Sequence, residues 1–571
     1  MTGPRSFFAG PLPNLTILFP ALFLGAFLLC FLILPVGQLV INALSDEGAL
    51  TFDALAIFAA NPLYAESLSS SLGTALGAAL MAAAAALPVA WLLWRFEQRL
   101  SPTLALLGVI PLFIPPFMLS LSLQSLLGRG GGIGLLAAGH IDLDPSQWGL
   151  AGLMLIEAAH YYPLVLTVVV LGTSPLSREA GESARLGTSW FRLTSRVFLP
   201  LGLPALVFGM AITFLKTLDD LATPLSLGIT NLIAPQAYFR VTTYGAQDLL
   251  SSVMALAMVA TSMFAWGLSA TIMRQSDTYW QASPIPGAQR GRQPGKTIGR
   301  IILSALIVFY SFGYSGMLLT ALSGIWSHTP LPETFGLMHF SAALKTEAAS
   351  FLNTLFYCGI AAIIDVAVGA VMAYTILSAP VGWGKHLNWS IAALLGVPGA
   401  ALAIAYLQFF NGMTLPLIGR SLDAIGFLLP TAFAIRGLPF AIPACTFALR
   451  GLPGSHLEAA AMSGASRFAI ARRIVLPSLV FGLSVAFLIC FGIAAVDLSA
   501  AMLLVPSETE APTAYTIYLN MQTSTGRGTG SALAVLAVGV VALATGVLAG
   551  FLGRRDTTTS LGHAIFRKRL N

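Results

Sequence analysis

Only 9% of this chain is Asp, Glu, Lys or Arg, so the charged residues inside its apolar stretches are the first candidates for chemistry. They are Glu157, Lys216, Asp219, Asp220, Asp365, Arg436 and Asp497, with His160 close to Glu157. None of them falls at the spacing of a metal site, and the seven histidines are scattered, so neither a catalytic set nor a metal-ligand set is expected. An ionisable side chain at bilayer depth is costly and by default faces a bundle interior or a water-filled path. Lys216, Asp219, Asp220, Asp497, Arg436 and Glu157 are therefore pathway candidates. Two local alternatives stand beside that reading. Lys216 precedes Asp219 and Asp220 by three and four residues, which puts all three on one helix face, where they can neutralise each other. Matching Pro163 with Pro439 sets His160 opposite Arg436, and for these two with Glu157 a structural interhelix pair is favoured over ligand binding.

A second polar feature is "LEAAAMSGASRFAIARRIVLP", residues 457–477, which interrupts two long apolar segments. Setting "RLGTSWFRLTSRVFLP" (185–200) under "MSGASRFAIARRIVLP" (462–477) shows that it occurs twice, at an ungapped offset of 277. Gly187 falls on Gly464, Ser189 on Ser466, Phe191 on Phe468, Arg196 on Arg473 and Leu199-Pro200 on Leu476-Pro477. The register carries on to Asp220-Leu221 over Asp497-Leu498. Residues Ala459 and Ala460 favour a helix, and Glu458 suits its first turn. Gly464 fits the left-handed residue that ends it, and Ser466 can cap a second short helix carrying Phe468, Ile470 and Ile474. Leu476-Pro477 then marks the return into the membrane. The expected product is a helix–turn–helix lying on the membrane surface, polar enough to dock on a soluble protein. An amphipathic loop held to anionic headgroups would explain the arginines but not the repeated Gly and Leu-Pro spacing.

The elements that must carry these residues follow from composition. The chain has 571 residues, is 56% hydrophobic and has a mean hydropathy of +0.83, whereas soluble domains are about 25% charged. Its apolar runs match the roughly 20 residues that cross a bilayer as a helix. Twelve spans are predicted, at about 15–44, 67–94, 103–127, 148–173, 198–222, 249–273, 301–325, 350–379, 389–411, 426–448, 476–504 and 529–552. With the N-terminus inside, 22 of the 29 basic residues fall in cytoplasmic segments and 5 outside, which puts both termini in the cytoplasm. The net charge of +6 reflects this topology and does not imply nucleic-acid binding. The apolar run after Arg5 is too long for a cleaved signal peptide and reads as the first span. Cys30, Cys358, Cys445 and Cys490 all lie in spans and read as packing residues. Pro115-Pro116 and Pro398, in the third and ninth spans, are expected to bend their helices.

The polar stretch 274–300 reads as a cytoplasmic linker between two six-span halves, 1–273 and 301–571. Its Gly295-Lys296-Thr297 imitates a phosphate loop, but Arg290 stands where that motif needs glycine and no apolar strand precedes it, so no nucleotide site is expected here. The pattern Glu458-Ala459-Ala460, then Gly464, then Leu476-Pro477 resembles the cytoplasmic loop signature of permease subunits in binding-protein-dependent ABC importers. Two six-span halves, each with the block between its fourth and fifth spans, are similar to the fused permeases of ferric-iron and thiamine systems. The resemblance implies an all-α polytopic permease with no cofactor of its own. It also implies two cytoplasmic ATPase subunits that bind ATP and Mg²⁺, a periplasmic solute-binding protein, and a place in a bacterial inner membrane. The blocks would be coupling helices, with Glu182, Ala184, Gly187, Ser189 and Arg196 in one and Glu458, Ala459, Ala460, Gly464, Ser466 and Arg473 in the other. The first departs from the pattern, since Gly181 stands where the second has Glu458. Ferric iron is the favoured cargo; thiamine, polyamines, phosphonates and sugar phosphates remain open, and an ion-coupled secondary carrier is the alternative.

Overall fold

A computed structural model describes residues 22–46, 49–95, 110–129, 131–137, 143–173, 189–274, 296–326, 329–378, 391–413, 426–450, 459–460 and 462–543. Helices dominate. A short hairpin pairing Ser45–Asp46 with Ala49–Leu50 follows the first span. Among the described residues eight helices are long and apolar enough to cross a membrane: Leu22–Leu44, Pro62–Trp94, Pro145–Thr173, Phe191–Asp219, Leu249–Met273, Ser304–Leu322, Ala348–Leu377 and Leu428–Arg450. These correspond to predicted spans one, two, four to eight and ten.

Three of the other four depart from plain spans. In spans three and nine the described chain makes a short 3₁₀ turn, Ile110–Phe113 or Ala393–Gly396, then an extended residue, then a helix of 12 residues, Pro116–Leu127 or Gly399–Phe410. The prolines cause both breaks. The residue before a proline is pushed out of the helical region, and Pro115 before Pro116 (ψ 139°) and Val397 before Pro398 (ψ 109°) are both extended. Twelve residues rise about 18 Å, well short of a bilayer core of about 30 Å. The expected bend is therefore a full interruption. Span eleven turns by 61° between Gly482–Ala495 and Leu498–Leu504. Span twelve is described only as the helix Arg527–Leu543.

Two similar clusters of helices form the body. Spans two, four and five pack on one another, and so do spans eight, ten and eleven. Small residues allow close approach. Gly209 of span five lies against Val165 of span four, and Gly369 of span eight against Ala441 of span ten. Span seven packs on the span-three helix, where the Met317 N–H donates to Ser122 Oγ (3.0 Å) and an added Cβ at Gly316 would meet the Ser122 carbonyl oxygen. Span one packs on spans six and nine, and its Phe31 carbonyl accepts from the Tyr406 hydroxyl (2.7 Å). The opening span of each six thus lies against the other six. The largest core gathers residues from both, with Phe117 and Tyr518 edge to face at 5.8 Å and Tyr406 fully buried.

Candidate functional site

The duplicated block has the same geometry in both places wherever it is described. In the first copy the helix Trp190–Leu193 leads through a π-turn, Thr194–Phe198, into Leu199–Asp219. In the second, Arg467–Ile470 leads through Ala471–Val475 into Leu476–Ala495, every boundary but the last displaced by the offset of 277. Proline again accounts for the detail. The ring at Pro200 would clash with the carbonyl of Ser195 or Arg196 in a regular helix; instead Leu199 N–H reaches back to the Thr194 carbonyl, opening the turn by one residue. This corrects the expected surface helix. The second helix of each block does not stop at Leu-Pro but runs through a widened turn into span five or eleven.

The caps form as the sequence suggests. Gly464 has φ +74°. Ala465 N–H bonds to the Ala460 carbonyl at 3.2 Å, the long closing bond of a glycine-ended helix. Ser466 Oγ accepts from Ala469 N–H at 3.2 Å, the N-cap bond. Leu193 N–H bonds to the Ser189 carbonyl as Ile470 N–H does to that of Ser466. Arg196, Arg473 and Ala459 are exposed, as are the apolar Phe191 (66%) and Met462 (89%). Glu182, Ala184, Gly187 and Glu458 lie outside the described residues, as does most of the 274–300 linker.

The repeat extends to the far end of spans five and eleven. Each helix ends just before its aligned aspartate, whose backbone is extended (Asp220 ψ 124°, Asp497 ψ 95°), and a short helix follows, Ala222–Ser226 or Leu498–Leu504. Asp220 Oδ1 accepts from Ala222 and Thr223 N–H (3.0 and 3.3 Å), and Asp497 Oδ1 from Ala500 N–H (3.4 Å). Each aspartate therefore starts a new helix by satisfying its free N–H groups, a use that the bare alignment of two acids did not reveal.

Where the clusters meet, the charges assemble around Arg436. Its Nη2 donates to Asp219 Oδ2 at 2.7 Å, and its Nε lies 2.9 Å from Asp497 Oδ2. Asp219 Oδ1 accepts from Ala400 N–H (3.0 Å), and the Asp219 carbonyl accepts from Ser499 Oγ (2.7 Å). One buried ion triad thus joins spans five, nine, ten and eleven. Gly399 makes room for it: a Cβ there would collide with Arg436 Nη1. Two expectations are corrected: Asp219 pairs with Arg436 and not with Lys216, and Arg436 does not pair with Glu157 or His160. Glu157 instead accepts from Thr217 Oγ1 (3.3 Å) and lies close to the Asp220 carboxyl group. His160 is buried edge-on against Tyr161. Asp365 is buried against Gly437 and Cys490, and all four cysteines are free. Among the described residues no group of acids, histidines and cysteines could hold a metal ion.

One polar seam escaped the sequence reading. Gln408 of span nine accepts from Asn42 of span one (2.8 Å) and Ser252 of span six (3.0 Å). Its only sequence signal is an amide inside an apolar run.

No family model matches the chain. It is 23% identical over 440 residues to a ferric transport system permease protein of Actinobacillus pleuropneumoniae, an alignment covering 74% of this chain and 62% of that protein. Over 444 residues it is 24% identical to a putative ferric transport system permease protein of Haemophilus influenzae, covering 74% and 68%. The chain is thus similar to transport-system permease proteins over 74% of its length. The chain spans less than two thirds of the first relative's length. A molybdenum transport system permease protein of Haemophilus influenzae matches over 182 residues at 27% identity, covering 78% of that protein but 30% of this chain. A much shorter permease protein is thus matched by less than a third of this chain. The fold is that of a multi-pass helical membrane protein.

Proposed function

We propose that this permease forms the membrane path of an ATP-driven importer, passing a small solute from a periplasmic binding protein to the cytoplasm, and that the solute is ferric iron. In this reading residues 1–273 and 301–571 are its two halves and 274–300 joins them, with both termini in the cytoplasm of a bacterial inner membrane. Two copies of a separate ATPase subunit, which hold the ATP and Mg²⁺, dock on the two blocks. The observation that carries the proposal is the block itself, repeated turn for turn at a constant offset. A secondary carrier has no use for two such surfaces. Each block continues through its π-turn into the helix that ends at the Arg436 triad, so tilting at the docking end is transmitted along one rigid element to the place where both sets of spans meet. Asp219, Asp497 and Arg436 then act as a latch, with Lys216, Asp220 and Glu157 beside it. The ferric systems named among the relatives support the choice of cargo.

The test is reconstitution of the chain with its ATPase subunits in proteoliposomes containing ferric-loaded binding protein. ATP-dependent uptake of iron supports the proposal. Uptake driven by an ion gradient in the absence of any ATPase would overturn it.

A further inference from the structure

Beside the triad, between spans five, six, nine and ten, lies a small cleft, partly open to solvent. Its polar lining is Lys216, Asp219, Ser262 and Arg436. The carboxylate is already used, since Asp219 Oδ1 and Oδ2 are taken by Ala400 N–H and Arg436. The donors are not. Arg436, 8% exposed, has no hydrogen-bond partner for Nη1 among the described residues, and Ser262, 1% exposed, has none for Oγ. Lys216 has no carboxylate at ion-pairing distance among them, because Asp219 and Asp497 are both turned to Arg436. Leaving buried donors unmatched is expensive. A guanidinium edge, an ammonium and a hydroxyl around one small space call for a ligand made of acceptors, and the ammonium, which unlike the guanidinium has no paired carboxylate among the described residues, calls for a negative one.

We infer that this cleft is a binding site for a small inorganic anion, an oxyanion or a halide, held by Lys216, Arg436 Nη1 and Ser262 Oγ. Seated there, the anion touches span five, span six and span ten at once and braces the latch. The inference goes beyond the importer reading and does not depend on which cargo is carried.

The full chain in nanodiscs of phosphatidylcholine, which lack anionic headgroups, is titrated calorimetrically with sulfate and with chloride, using gluconate to hold ionic strength constant. Saturable binding of either anion is expected. Lys216→Met should weaken it tenfold or more and Ser262→Ala about threefold, Lys216→Arg should stay within threefold of the parent, and Lys345→Met, on an exposed helix, should leave it unchanged. Absence of saturable binding overturns the inference. So does a parent-like constant in Lys216→Met, or in Ser262→Ala should the lysine variant fail to give monodisperse protein. Because the titration needs no ATPase, a failed uptake assay leaves it readable, and a failed titration leaves the importer reading standing.

Discussion

Asp220 and Asp497 are the same position in two copies of one segment, and they do the same thing with one carboxylate oxygen and different things with the other. Both cap the helix that restarts after spans five and eleven. Beyond the cap, Asp497 faces Arg436 whereas Asp220 lies beside a second acid, Glu157. His160, which the alignment places opposite Arg436, carries no part of the triad. Backbone geometry has thus been kept in both copies while the ionic wiring has been concentrated in one. The comparison teaches that a duplicated device need not be electrically symmetric: a cap requires only an oxygen near free N–H groups, but a buried charge requires one particular partner.

The largest effect should come from removing the cation. Arg436→Met leaves Asp219 and Asp497 buried without compensation and is expected to cost about 3–5 kcal/mol, read as a lowered unfolding midpoint in detergent. A triple variant Arg436→Met, Asp219→Asn, Asp497→Asn should recover most of that loss, and failure to recover would mean the triad is not the unit. Next, Gly399→Ala drives a methyl into the guanidinium, at about 1–3 kcal/mol; parent-like stability would show that Arg436 can sit elsewhere. Gly464→Val places a β-branched residue at φ +74°, a strain of about 1–2 kcal/mol, and should abolish ATPase association while membrane insertion continues. Normal transport by that variant would remove the block from coupling.

The comparison itself is sharpened by a matched pair. Asparagine caps a helix as well as aspartate, so Asp497→Asn loses only its charge toward Arg436 and should destabilise by about 1.5–3 kcal/mol. Asp220→Asn gives Glu157 an amide neighbour in place of an acid and should be neutral or slightly stabilising. Equal effects in the two thermal melts would refute the asymmetry. The smallest expected change is Ser466→Ala, about 1 kcal/mol or less of local helix stability, visible as faster amide exchange at Ala469 with little effect on the global melt.

Much of the block was legible in advance because its signals are local. A glycine before a serine, and a proline at a fixed distance after it, act on backbone within one or two turns, and the glycine and serine predictions hold at Gly464 and Ser466. Less was legible of what proline does inside a hydrophobic run. Pro115-Pro116 and Pro398 are expected from residue type to bend their helices, whereas the structure shows breaks set by the backbone of the single residue before each proline. At Pro200 the same ring strain is absorbed by a π-turn instead, and residue type alone does not decide between the two outcomes. The charged site was legible as a list of residues but not as a set of pairs. Lys216 stands three residues from Asp219 and was the natural partner, yet the bond goes to Arg436, 217 positions away.

The sequence by itself determined the class of molecule, a many-span helical membrane protein, along with the duplication and its offset, and the caps at Gly464 and Ser466. These depend on hydropathy, repetition and the conformational limits of single residues, all written along the chain. Only the tertiary structure decided which acid Arg436 holds, which donors line the cleft beside it, and why Gly399 must be glycine. Those answers depend on which helix faces come together. Packing brings Asp219, Gly399, Arg436 and Asp497 from four spans into contact, and a buried ion pair takes whichever partner that packing supplies.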